Sequence, residues 1–384
     1  MIEAAGWRLA SQKSAQTEAV LTVREVILAT EMTAADDVSE PESGQIWWLM
    51  MDDFIGSGNV LSKERVKELS KRRNGPGLLH LASHFGAIGI CTYALFLTQG
   101  SWWCVPFFFL QGVLLSFLYA PEHECDHYSA YTERWMNVAV ARVCGFLILM
   151  PNDFHRWSHF AHHRHTQDWN LDTELTARPV LDSVGKYLWV LSGVPSLIGR
   201  VQVLFLHAAG RLDPPYLRPA QKRTVERLCL AHLLGYLIIA VAAVAIQSWW
   251  PVYYWLGPLV LTHWVYWVQG LGEHACLTHE PHTLLNTRTM KANWFMRWVN
   301  WNMTYHTVHH TYPSVPFYRL PELHKEIEKE LGFALPSAGY IELHWEHLKA
   351  LAGGATELEL CAAHDREIQD SGALSRLTRE TRAI

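Results

Sequence analysis

The chain has 384 residues and a formal net charge of −5, too small a bias to suggest nucleic acid or another strongly charged partner. Only 18% of residues are charged, 49% are apolar and 18 are tryptophan, which departs from a soluble globular composition. Seven cysteines scattered without a C-x-x-C pair argue against an iron–sulfur site and against a disulfide framework.

Residues 1–45 are polar and small, with no steady period and no apolar signal-peptide core. The expected organisation is a disordered or variable tail over 1–60, a membrane domain over 61–350 and a polar tail over 351–384. The basic stretch KERVKELSKRRN (63–74) leads to GPG (75–77), which marks the start of the first apolar run. No charged side chain occurs between Arg73 and Glu122, nor between Arg227 and Glu273. A spanning helix needs ~20 mostly apolar residues, so each run has room for two. The first divides at TQGS (98–101) into helices expected near 78–98 and 102–120. The second divides at Gln247, Ser248 and Pro251 into helices near 228–247 and 251–271. Trp102, Trp103, Trp249, Trp250, Tyr253, Tyr254 and Trp255 crowd the two turns, as interfacial aromatic residues do.

The six basic residues of 63–74 precede the first span, whereas the tight turns carry none. The positive-inside rule then places both termini and the central segment 122–227 in the cytoplasm. Segments 133–151, interrupted by Arg142, and 186–206 read as helices lying on the membrane surface. ELHKEIEKELGF, after Pro321, reads as a surface helix closed by Gly332. The fold expected is all-α and integral to the membrane: four transmembrane helices as two hairpins, with a cytoplasmic helical cap. A soluble protein with two buried helical hairpins is the alternative, though buried helices of that length seldom lack charge.

The histidines cluster. HECDH (123–127), HFAHH (159–163) and HTVHH (306–310) each place imidazoles three or four apart, on one helical face. Neutral imidazole is a ligand for iron, zinc, copper or nickel. All three clusters fall at the same end of the two expected hairpins, so His123, His127, His159, His162, His163, His306, His309 and His310 can meet at one cytoplasmic site. One catalytic zinc takes three protein ligands and an open position, so eight or nine suit two ions. His274 is the candidate ninth, with His279 its competitor. His155 and His165 read as supporting or solvent-facing, and His80 and His84 as helix-packing histidines. Ligating imidazoles usually donate their other N–H to a carboxylate or carbonyl. Asp126, Glu273 and Asn302 are the candidates for that role, with Asp153, Asp168, Asp172 and Glu174 also nearby.

These boxes, with HFAHHRHTQDWNLDTEL (159–175) and NTRTMKANWFMRWVNWNMTYHTVHHTYPSVPFYRLPELH (286–324), resemble the membrane fatty acid desaturase/hydroxylase superfamily over about residues 63–347. The resemblance implies a diiron centre held by the eight box histidines with His274, dioxygen as co-substrate, and electrons from a separate ferredoxin or cytochrome b5 with its reductase. It implies desaturation of an aliphatic chain, with a fatty acyl membrane lipid as the expected substrate. Hydroxylation of a lipid or carotenoid, or desaturation of a small amino-acid-derived metabolite of the rhizobitoxine type, are the alternatives. Val308 departs from the pattern where many bacterial relatives carry glutamate. A zinc peptidase using HECDH with Glu124 as base would leave both H-x-x-H-H clusters without a role. A metal transporter would place its histidines within the spans.

Overall fold

The computed structural model describes residues 60–279 and 282–371. The tail expected over 1–60 lies, apart from Val60, outside the described residues. The chain is mostly helical. In order the helices are α1 (Lys63–Leu69), α2 (Asn74–Leu97), α3 (Cys104–Ser116), α4 (Tyr119–Asp126), α5 (Arg134–Leu147), α6 (Asn152–His165) and the short α7 (Thr173–Thr176). Next come α8 (Val184–Leu191), α9 (Val194–Ala208), α10 (Pro219–Ala245), α11 (Gly257–Thr262) and α12 (Trp264–His274). The remainder holds α13 (Trp294–Val299), α14 (His306–Thr311), α15 (Leu320–Leu331), α16 (Tyr340–Ala352) and α17 (Glu357–Ser371).

Among the described residues, three helices are long and apolar enough to cross a membrane: Asn74–Leu97, Cys104–Asp126 (α3 running into α4) and Pro219–Ala245. Leu79, Ile90, Tyr93 and Phe96 on α2, and Leu237, Ile238, Val241 and Val244 on α10, are exposed on their outer faces. Apolar surface on that scale needs a covering, which a bilayer supplies. The fourth expected span, 251–271, is not one continuous helix. It runs as a π-turn (Val252–Leu256), then α11, then α12. Pro258 is the physical reason: it has no N–H to return to the Tyr254 carbonyl, which instead accepts from Gln111 Nε2 at 3.1 Å. A π-turn absorbs the break.

α3 meets α11 closely at Gly112, where a Cβ would lie 2.1 Å from Thr262 Oγ1 and 2.2 Å from the Pro258 carbonyl. Only glycine fits there. The segments expected on the membrane surface take part in bent pairs, 133–151 supplying only the first helix of its pair. α5 and α6 meet at 101°, and α8 and α9 at 57°, and by length and composition each pair could instead be one broken span. Gly193, at φ +71°, makes the second bend with its Cα against His263 and Trp267.

The sequence predicts an all-helical chain, and a small sheet corrects that expectation. β1 (Thr289–Lys291) pairs in parallel with β2 (Ser337–Gly339). The two strands are too short to show a period in sequence. Arg288 beside β1 donates to the Gly272 carbonyl at 2.7 Å, and Met290 N–H to the Thr304 carbonyl at 2.8 Å. The sheet thereby pins the end of α12 to the start of α14. α15 follows the sequence expectation, with proline in its first turn and Gly332 left-handed at its end. α17 occupies part of the expected C-terminal tail. Buried Glu357 at its start pairs with Arg178 at 2.5 Å and accepts the Leu181 N–H at 2.7 Å.

Candidate metal centre

Four helices bring the histidines together. α4 carries His123 and ends on His127, α6 carries His159, His162 and His163, α12 ends with His274, and α14 begins with His306 and carries His309 and His310. They form two adjoining groups that could each hold a metal ion. In one, the ligand atoms of His123, His127, His159, His163 and His309 all lie within 4.8 Å of one another. The other holds His162, His274 and His310. His306 joins this second group, its Nε2 2.7 Å from His274 Nε2. His163 and His310 stack between the groups.

Each H-x-x-H-H helix feeds both groups. On α6, His159 and His163 face one way and His162 the other. On α14, His309 turns to the first group while His306 and His310 turn to the second.

All these rings are buried apart from His274, which is partly so. Buried polar atoms normally have partners, yet both nitrogens of His123 and His309, and Nε2 of His127, His162 and His310, have none. Three outward nitrogens are engaged. His162 Nδ1 lies 2.7 Å from Asp172, His159 Nδ1 3.1 Å from Glu174 and His310 Nδ1 3.3 Å from Thr166 Oγ1, whereas His306 Nδ1, 3.4 Å from Glu273, makes no hydrogen bond. Orphaned buried imidazole nitrogens, with carboxylates behind His159 and His162, are an arrangement that suits a metal site. Burial first, and neighbouring imidazoles second, hold His306, His309 and His310 well below the ordinary imidazole range. Their rings are therefore neutral, with lone pairs to offer. Burial alone would raise the Asp172 carboxyl, but the charge and hydrogen bond of His162 and the Gln167 N–H outweigh it and hold it at about 2. Asp172 also caps α7 through the Glu174 and Leu175 N–H groups.

Of the three expected supporting residues, Glu273 contacts a clustered histidine, His306. Asp126 instead binds His155 at 2.8 Å, and Glu122 binds the same ring at 2.9 Å. Asn302 is not on the helix of His306. α14 starts at His306, and Asn302 sits in the preceding turn at φ +57°, donating to the Phe317 carbonyl at 3.2 Å. Asn302 lies four residues before His306, a spacing that would share a face on one helix, but a turn separates the two residues.

His279 stands apart, with Nδ1 2.6 Å from the Gln167 carbonyl. His80 and His84 meet the Trp298 and Leu114 carbonyls, as packing histidines do. Glu124 accepts from Ser129 Oγ at 2.7 Å and from the Phe317 N–H at 2.9 Å, a structural anchor.

Between the groups lies a cavity of about 20 Å³, bounded by His123, His159, His274, His306, Tyr119 and Tyr266. That is room for about one water-sized molecule. A second cavity of about 350 Å³ shares Tyr119, Tyr266 and Glu174 with it as a common wall. Sequence reasoning did not single out these tyrosines, which have no motif. Asp172 and Glu174 carried a weak signal, as a helix-cap D-T-E beyond the second cluster.

The profile of the fatty acid desaturase family matches residues 100–341. The chain is 27% identical over 246 residues to a sphingolipid delta(4)-desaturase of Drosophila melanogaster, covering 62% of this chain and 69% of that protein. It is 24% identical over 265 residues to an sn-1 acyl-lipid omega-3 desaturase (ferredoxin) of Nostoc sp., covering 62% and 72%. Against an sn-1 oleoyl-lipid 12-desaturase of Picosynechococcus sp. it is 22% identical over 307 residues, covering 72% and 81%.

Proposed function

The chain belongs to the fatty acid desaturase family and is an integral membrane oxidoreductase, and from that premise we propose that it removes two hydrogens from adjacent carbons of a lipid's aliphatic chain at a diiron centre. The observation that carries this reading is the pair of adjoining imidazole groups with orphaned inward nitrogens. His123, His127, His159, His163 and His309 would hold one iron. His162, His274, His306 and His310 would hold the other. Two irons would supply the redox chemistry with dioxygen that no side chain carries. The balance is one dioxygen, two electrons and two protons consumed, with one carbon–carbon double bond and two waters formed.

The chain's own residues position this chemistry. Asp172 and Glu174 orient the rings of His162 and His159, and Glu273 lies 3.4 Å from His306. Tyr119 and Tyr266, with ring centroids 4.7 Å apart, separate the small histidine-lined cavity from the larger one. Closing off the reacting space in this way limits access of bulk water.

The electrons come from a separate donor, a ferredoxin or cytochrome b5 with its reductase. The relatives from Nostoc and Synechocystis named as ferredoxin desaturases support this. The topology is four spans in two hairpins, counting the broken run 252–274 as the fourth, with both termini and the histidine site cytoplasmic. The basic stretch 63–74 supports that orientation.

The test is metal analysis and product analysis of detergent-purified protein supplied with a reductant, ferredoxin and labelled dioxygen. About two irons per chain and a double bond without incorporated label are expected. Label in the product would replace desaturation with hydroxylation, and a single zinc would overturn the oxidoreductase site.

A further inference from the structure

The larger cavity, of about 350 Å³, is lined by a cation with no carboxylate in ion-pair contact among the described residues. Its lining includes Arg200, Arg178, His155, Glu174, Tyr119 and Tyr266. Arg200 sits in the middle of α9 and is 9% exposed. Its Nη1 donates to the Ile148 carbonyl at the end of α5, at 2.8 Å, and its guanidinium lies 6.0 Å from the Tyr266 ring. Among the described residues no carboxylate pairs with it.

The other charged groups facing the cavity are compensated. Arg178 is paired with Glu357, His155 lies between Glu122 and Asp126, and Glu174 is engaged by His159. A guanidinium has five N–H donors, and closing one carbonyl uses one of them. That duty needs a donor and no charge. A buried charge without a partner is costly, and such a group lining a cavity is a candidate for binding an opposite charge.

We propose that this cavity binds the anionic group of an amphiphilic substrate, a carboxylate or phosphate, on Arg200. The aliphatic part of the molecule then runs toward the wall of Tyr119, Tyr266 and Glu174. The inference rests on the desaturase reading for what lies behind that wall. From Arg200 the path passes the Tyr266 ring, then Tyr119 4.7 Å further, then His123 at 5.4 Å from Tyr119. Two tyrosine rings separate the anion from the histidines.

The experiment uses full-length protein in detergent, both as purified and stripped of metal. Thermal unfolding is followed with decanoate, decyl phosphate, methyl decanoate and decanol as probes. Charge-assisted hydrogen bonds favour an anion by about tenfold or more in apparent affinity. Wild type is expected to prefer decanoate or decyl phosphate over the uncharged probes by that factor.

Arg200→Lys keeps part of the preference and Arg200→Gln loses it. Val203→Glu also loses it, because it sets a carboxylate one turn from Arg200 on the same cavity wall while leaving the Arg200–Ile148 contact in place. Decanoate binding better than decyl phosphate identifies a free acid, and the reverse identifies a phosphate-bearing lipid head.

Equal stabilisation by charged and uncharged probes overturns the proposal, as does a preference that survives both Arg200→Gln and Val203→Glu. Either result alongside normal iron content and product leaves the desaturase reading standing. An anion preference that persists in protein without iron or product separates the two the other way.

Discussion

His163 and His310 stack with ring centroids 3.9 Å apart and planes 8° from parallel. They belong to different imidazole groups, so the two candidate metal positions share a wall of two rings. Replacing either ring disturbs both groups. His310→Ala is expected to lower iron to one per chain or less and to abolish product. His306→Ala, at the edge of the second group, should also erase product while leaving the first group's five histidines intact. Elemental analysis beside product analysis checks both, and full iron loading in His310→Ala would contradict the assignment.

Asp172 is the most consequential carboxylate outside the histidine set. It holds His162 Nδ1, accepts the Gln167 N–H at 2.8 Å and caps α7. Asp172→Asn is expected to weaken metal retention roughly 10–100-fold, the usual cost of losing such a partner. Competition with a graded series of chelators measures this. Glu174→Gln should do less, because Glu174 is 41% exposed and water can replace it.

Acidification should loosen the metal-free protein. His306, His309 and His310 titrate well below the ordinary range when folded, because burial and neighbouring rings disfavour their charge. The unfolded chain therefore takes up protons first, as pH falls through about 6.5. Stability from these groups is fully present above that pH and falls below it. Iron retention should decline in the same direction, since ligating imidazoles must be neutral. Thermal unfolding of stripped protein between pH 8 and 5 reads the effect, and a midpoint that stays level throughout contradicts it.

Gly112→Ala tests the packing of α3 on α11. The added methyl would meet backbone at Pro258 as well as Thr262 Oγ1, so no side-chain rotation relieves it. A loss of about 1–3 kcal/mol is expected, read as a lowered unfolding midpoint in detergent. An unchanged midpoint would mean that the helices do not approach as described.

Glu124→Gln separates the oxidoreductase from a peptidase. A peptidase base at this position could not lose its carboxylate without losing turnover. Here Glu124 anchors Ser129 and the Phe317 N–H through one oxygen, Oε1, which glutamine keeps, while its amide NH2 would sit at the buried, partnerless Oε2 position. Product formation should persist with lowered stability.

The histidine spacing carried the strongest message in the sequence. H-x-x-H-H on a helix predicts rings on one face, and α6 and α14 do bring theirs to one buried centre, divided between its two groups. Spacing could not show that one face would serve two groups, because that division depends on α4 and α12 arriving from different directions. The apolar runs were legible by their lack of charge. The break in the fourth was not placed, although Pro258 was its visible cause. The four-residue spacing of Asn302 and His306 suits a helix, but residues 301–304 form a turn that sequence spacing does not reveal. Arg200 was legible in principle, as a lone charge within an apolar stretch, but its missing counterion is a property of the folded chain alone.

The pairing of Glu357 with Arg178 gives the far end of the chain a hold on the chamber beside the histidines. Gly354, at φ +91°, lies in the turn just before it. Cleavage at that glycine and loss of α17 would leave Arg178 without its carboxylate in the cavity that Arg200 also lines. The chamber would then present two guanidinium groups without a carboxylate partner in place of one, and a negatively charged guest would be held longer and released more slowly. A stretch far from the chemistry would in this way set how quickly the enzyme empties.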